Sequence, residues 1–134
     1  MTKRAATCSC GQLTVQCEGE PVRISICHCL ACQKRTGSVF SAQARFNRDQ
    51  VLSIAGQSTA YVRKADSGNE LTFHFCPMCG STVYYWLNHV PEIVAIPVGA
   101  FADPQFGPPK FSVYESRKHS WVRLPEGPGI EHLD

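Results

Sequence analysis

Seven of the eight cysteines fall into three tight groups, and their spacing is that of metal ligands. Residues 8–11 read CSCG and residues 76–80 read CPMCG. A C-x-x-C turn aims two sulfurs at one ion, and Gly80 behind it gives the backbone the freedom to leave the turn. Gly11, after Cys10, looks like the same device. Two such pairs, far apart in sequence, predict a closed tetrahedral site made by Cys8, Cys10, Cys76 and Cys79. Cys8 and Cys10 are poorly placed to bridge each other, because a C-x-C disulfide is strained.

Residues 27–32 read CHCLAC. Three cysteines in six residues are too dense for disulfides, and their spacing suits a three-thiolate metal site at Cys27, Cys29 and Cys32. Three protein ligands leave a fourth position open, which is the mark of a catalytic or ligand-accepting zinc. Cys17, His28 and His74 are the candidates to close it. His28 sits between two ligands, so its side chain is expected to point elsewhere. Cys17 continues the inward phase of Leu13 and Val15 and reads as core. His74 falls on the opposite phase from its apolar neighbours and reads as solvent-facing. The pattern predicts two Zn²⁺ per chain, one structural and one with an open position.

A substrate thiol at an open three-thiolate zinc is deprotonated at neutral pH and becomes a nucleophile beside a Lewis acid. Lys34, Arg35 and Ser38 follow the ligands directly and could hold a carboxylate of a glutathione-like thiol. His119, with Arg117 and Glu115, could supply polar or acid–base groups from a later segment.

Thirteen Lys and Arg against eleven Asp and Glu give +2, too mild a balance to argue for nucleic acid. Two Zn²⁺ and seven thiolates would move this to about −1 (+2 + 4 − 7), which weakens that partner further. No apolar run reaches the ~18 residues a membrane helix needs. The opening MTKRAATCSCGQ has no apolar stretch of a secretory leader. Clustered free thiols persist in a reducing compartment, so a cytoplasmic location is expected.

The elements that must position these groups have mostly a period of two. Leu13, Val15 and Cys17 alternate with Thr14 and Gln16; Val22, Ile24 and Ile26 alternate with Arg23 and Ser25. Phe40, Ala42, Ala44 and Phe46 alternate with Ser41, Gln43 and Arg45, and Leu71, Phe73 and Phe75 with Thr72 and His74. These are half-buried strands. Residues 51–55, 59–64, 82–87, 93–98 and 111–114 read as further strands. Only residues 30–35 can form a helical turn, too short to stand alone. Residues 101–110, with three prolines, form a loop. The expected organisation is one mainly β zinc-binding domain over residues 1–124, of about nine short strands, and a loosely held tail over 125–134.

C-x-C-G, then C-H-C-x-x-C followed by Lys34-Arg35-Thr36-Gly37-Ser38-x-Phe40, then C-P-x-C-G, resembles the glutathione-dependent formaldehyde-activating enzyme family, which includes centromere protein V. The Asp103–Phe106 loop and the segment FSVYESRKHSWV ending at Trp121 carry the resemblance to about residue 124. The chain is short and in that is similar to the compact bacterial members; Ser112 stands where many members have histidine, and the segment resembles instead a branch with S-V-Y-E-x-R-x-H-x-W. The resemblance implies twisted antiparallel β-sheets around zinc, similar to the small Rab-exchange-factor proteins. It implies a structural zinc on the first and last pairs and a second zinc on the middle cluster. It also implies a carbon–sulfur lyase joining formaldehyde, or another small aldehyde, to glutathione or a similar thiol. The alternative is a non-catalytic, zinc-stapled β binding module, with Phe101, Phe106 and Trp121 as partner contacts.

Overall fold

The computed structural model describes residues 1–134. Eleven strands form two sheets. The smaller sheet has the order β1 (Lys3–Thr7), β2 (Thr14–Glu18), β5 (Val51–Ala55), all antiparallel. The larger is built on β3 (Arg23–Cys27), β4 (Ser41–Asn47), β9 (Ile93–Pro97), β8 (Thr82–Leu87), β7 (Glu70–Phe75) and β6 (Thr59–Lys64), paired antiparallel in that order. Two short strands extend it beyond β3. These are β10 (Phe111–Val113), parallel to β3, and β11 (Glu131–His132), parallel to β10. The domain is mainly β, as the alternation predicts, with a parallel edge that period two alone does not reveal.

The register sorts side chains by face. On β3 and β4, Ile24 lies opposite Ala44 and Ile26 opposite Ala42. Ala44, Phe46, Val94, Ile96 and Val83 pack from the large sheet against Ala6, Leu13, Val15 and Cys17 of the small sheet side. This is the main core. Phe101 belongs to it, stacked on Phe106 at 4.7 Å, so the expectation of a partner contact there gives way to packing. Trp121 does stay exposed.

Cys17 is fully buried in that core and joins neither cysteine group. Cys17→Ala should therefore keep all bound metal and cost roughly 1–2 kcal/mol, as a small core truncation does. Chemical denaturation with a metal count checks both halves, and loss of a metal equivalent would make Cys17 a ligand.

Two expectations change. Residues 130–134 are held rather than loose: Ile130 is buried, and the amides of Glu131 and Leu133 donate to the carbonyls of Lys110 and Ser112. His74 is half-buried, hydrogen-bonded through Nδ1 to Ser58 Oγ (2.9 Å) and stacked on Tyr84 at 4.5 Å. Its ring covers Tyr84, and burial lowers its pKa.

Candidate metal centres and the cavity beside them

The loop after β1 and the turn between β7 and β8 bring Cys8, Cys10, Cys76 and Cys79 together, all four sulfurs lying within 4.8 Å of one another. Cys8 Sγ and Cys10 Sγ are 3.6 Å apart, and Cys10 Sγ and Cys76 Sγ 3.7 Å. Four thiolates at the ~2.3 Å zinc–sulfur distance of a tetrahedron would be separated by ~3.8 Å. The group is shaped for one tetrahedral ion. The backbone amides of Leu13 and Met78 donate to Cys8 Sγ and Cys76 Sγ at 3.3 and 3.4 Å. Such donors stabilise thiolate charge. Gly80, with φ at +81°, lets the chain leave the turn, as the sequence predicts.

Gln12 ties this site to the small sheet. Its Nε2 donates to Cys76 Sγ (2.9 Å) and to the Gln57 carbonyl (2.8 Å), while its Oε1 accepts from the Gln57 amide (2.9 Å). That arrangement brings the Gln12 carbonyl against Gly56, where a Cβ would meet it at 2.0 Å, and Gly56 also has φ at +98°. Gly56→Ala should thus force the two segments apart and cost roughly 2–3 kcal/mol. A thermal melt reads the loss, and faster release of bound metal to a chelator reads the displaced Gln12.

The second group forms where β3 ends and α1 (Leu30–Thr36) begins. Cys27, Cys29 and Cys32 are buried, with sulfurs mutually within 4.8 Å. Cys29 is the N-cap of α1, its sulfur accepting from the Cys32 amide at 3.3 Å. Gly37, left-handed at φ +72°, ends the helix. Gln33 fixes the helix from outside, donating to the carbonyls of His28 and Arg117. Without metal the three thiols share protons unevenly. Hydrogen bonds from Cys27 and Cys29 lower the Cys32 pKa, while contacts with Cys29 and Cys32 raise that of Cys27.

None of the candidates for a fourth ligand joins this group. Cys17 is in the core, and His74 caps Tyr84. His28 is fully buried and faces away, its Nε2 sharing a hydrogen bond with Ser112 Oγ (2.9 Å) and its ring tilted against Phe40. The serine at position 112 fits beside that imidazole because its strand runs parallel to β3, with Ser112 opposite Ile26 and Val113 opposite Cys27.

The three sulfurs lie in the wall of a cavity of about 210 Å³. Phe73, Tyr85 and Tyr114 supply apolar wall, and the turn between β6 and β7, with Asp66 and Asn69, forms a rim. Tyr114 holds a left-handed conformation, φ +56°, directly after β10. Such a conformation costs a non-glycine residue on the order of 1 kcal/mol or more, and it is found where a site dictates the backbone.

The substrate-binding residues expected from sequence divide. Arg35 lines the cavity. Lys34 lies on a wider outer groove that shares Arg35, Arg63 and Phe73 with the cavity. Ser38 is exposed and lines neither. His119 bonds to Gln33 Oε1 (3.0 Å), stands edge-on to Trp121, and braces the helix from outside. Glu115 pairs with His132 at 2.6 Å, and the Arg117 guanidinium bonds Ser116, so these two act in the late segment itself.

Sequence reasoning missed Arg23, Arg45 and Arg63, which also line the cavity. Arg23 and Arg45 alternate with apolar residues, as a solvated strand face does, and Arg63 sits in the less regular strand β6. The face is in fact enclosed: Ser25, Ser41 and Gln43 beside them are buried, in a chain where Ser41 Oγ donates to Gln43 Oε1 (2.9 Å) and Gln43 Nε2 to Ser25 Oγ (2.8 Å).

Residues 3–117 match the glutathione-dependent formaldehyde-activating enzyme family. The chain belongs to that family. The match spans both cysteine groups and every residue that lines the cavity. A crystal structure of a Rhodobacter sphaeroides protein superposes with a TM-score of 0.58 at 19% identity, covering 78% of this chain and 91% of that one. That likeness is one of fold. No curated protein matches the chain significantly. No helix of this family member is long and apolar enough to cross a membrane.

Proposed function

We propose that this protein is a zinc-dependent carbon–sulfur lyase acting on the adduct of a small thiol and a small aldehyde, glutathione and formaldehyde being the pair the family name gives. The observation that carries the reading is the group of three buried sulfurs opening onto an arginine-lined cavity; no fourth cysteine or histidine joins the group, and His89 lines the same cavity.

Both cysteine groups suit zinc: all-sulfur donor sets favour soft and borderline metals, zinc among them, and the spacing in the first group is that of a tetrahedral ion. Cys8, Cys10, Cys76 and Cys79 would hold a closed structural ion. Cys27, Cys29 and Cys32 would hold the second. A zinc there supplies an open position at which a substrate thiol is acidified and kept nucleophilic beside a Lewis acid. The chain's own residues do the rest. Arg35 binds an anionic end of the thiol; Phe73, Tyr85 and Tyr114 limit water around the reacting atoms. In the addition an S–C bond forms, the carbonyl π bond opens, and the thiol proton ends on the former carbonyl oxygen. The lyase direction is the reverse. Seven reduced thiols suit the cytoplasm, where such thiols are maintained.

Fresh, unchelated protein should carry close to two zinc ions by elemental analysis. Cobalt substituted at the three-cysteine site should change its absorption when glutathione is added, and the protein should accelerate formation of S-(hydroxymethyl)glutathione. Zinc at one equivalent or none, or a cobalt spectrum indifferent to thiols, would replace this reading with a zinc-stapled binding module.

A further inference from the structure

Half of the chain's eight arginines line one cavity of about 210 Å³: Arg23, Arg35, Arg45 and Arg63. None is in an ion pair; the two ion pairs of the molecule are Arg4–Glu20 and Glu115–His132. The buried Nε of each of the four has no hydrogen-bond partner. Arg23 and Arg45 are directly opposite on β3 and β4, a cross-strand pairing of like charges that is unfavourable on its own. Their mutual repulsion, after burial, lowers the Arg23 pKa, while Glu131 opposes the shift from a distance beyond ion pairing. Arg23 lies over Phe111 at 4.1 Å, and Arg35 and Arg63 lie over Phe73 at 4.9 and 5.1 Å. Those rings hold the guanidinium planes in place without neutralising them. Arg63 reaches towards the cysteines, its Nη2 3.9 Å from Cys32 Sγ.

Unpaired guanidiniums that line one concavity, three of them set over aromatic faces, are built for a ligand that brings the missing charge. The carboxylate in the lining, Asp66, is exposed at the rim. Inside the rim that bears Asp66, four guanidiniums give +4 and zinc on three thiolates would give −1, so the inner wall would carry +3. A ligand thiolate bearing two more negative charges returns the site to neutrality.

We infer that Arg23, Arg35, Arg45 and Arg63 select a small thiol whose far end carries two negative charges, as a dicarboxylate or a phosphate, with its sulfur turned to Cys27, Cys29 and Cys32. The placement of the sulfur rests on the proposed function; the selection by charge rests on the arginines alone.

The test is calorimetry on the zinc-loaded full chain at low salt, with mercaptosuccinate, 3-mercaptopropionate and 2-mercaptoethanol, and with sulfur-free succinate and inorganic phosphate. Mercaptosuccinate should bind at least tenfold more tightly than 3-mercaptopropionate, and that more tightly than 2-mercaptoethanol, with the differences shrinking as salt is added. Succinate and phosphate should each bind more weakly than mercaptosuccinate, and the tighter of the two identifies the chemistry of the far end. Arg45→Met and Arg23→Met should lose the charge discrimination with the zinc count unchanged. Their melting temperature without ligand should hold or rise, because the like-charge pair is gone; an arginine that merely braced the sheet would lower it. Equal affinity for the three thiols overturns this inference and leaves the zinc–thiol reading standing. Mercaptosuccinate that binds no more tightly than succinate, with both lost in Arg45→Met, supports the arginine assignment and overturns the proposed function instead. Should both variants fail to fold, the ligand series on the unaltered protein decides.

Discussion

Cys79→Ser should give insoluble or unfolded protein, and Cys10→Ser the same. Both sulfurs lie at the exposed side of their group, so neither change opens a hole in the core. The effect runs through the metal. A serine hydroxyl stays protonated at neutral pH and is a poor replacement for thiolate. A structural zinc contributes an apparent ~10–16 kcal/mol in small domains, against about 5–15 kcal/mol of stability for a whole domain. Its loss removes as much as the fold has to spare. The position of the site makes this harder to absorb. It joins the end of β1, in the small sheet, to the β7–β8 turn of the large one, where Ser9 and Ser81 hydroxyls also meet at 3.0 Å. Circular dichroism and the soluble yield of each variant measure the outcome. A variant that melts within a few degrees of the unaltered protein would show that the apolar core between the sheets suffices.

The cysteine groups were legible because ligand spacing is a local property: each C-x-C or C-x-x-C turn forms its half-site from neighbouring residues. The alternation over residues 22–26, 40–46 and 71–75 was legible for the same reason, since period two reports one buried face. It could not say what covers the other face. Arg23, Ser25, Gln43 and Arg45 read as solvated, yet α1 and the β6–β7 turn close over them, and no pattern within β3 or β4 encodes that. β1 went unread because Ala6 is its one buried side chain. β11 is two residues long and exists through bonds to Lys110 and Ser112, partners that sequence separation hides. Proximity in sequence to the cysteines does not fix placement: one turn of helix puts Arg35 in the cavity wall, while Ser38, past the helix end, is exposed.

Cys29→Ser should leave a folded protein with one zinc fewer, a lower melting temperature and no binding of glutathione-like thiols. Its three ligands lie within residues 27–32, so the metal closes only a short loop, and little chain entropy depends on it. The substitution is also mild where it sits. Cys29 caps α1 by accepting from the Cys32 amide, and serine is among the best residues for that role. What changes is the donor set. Cys29→Ala removes cap and ligand together and should melt lower still, the cap costing about 1 kcal/mol. Cys32→Ser places a hydroxyl at a buried position beside Ser41 and should match Cys29→Ser in zinc count with a somewhat larger loss of stability. Thermal melts, zinc counts and thiol titrations on these variants beside Cys79→Ser separate the two groups. If Cys29→Ser proved as unfolded as Cys79→Ser, both ions would be staples. A fold with two staples and no ion free to take a thiol would be a binding module, and the lyase reading would fall with that result.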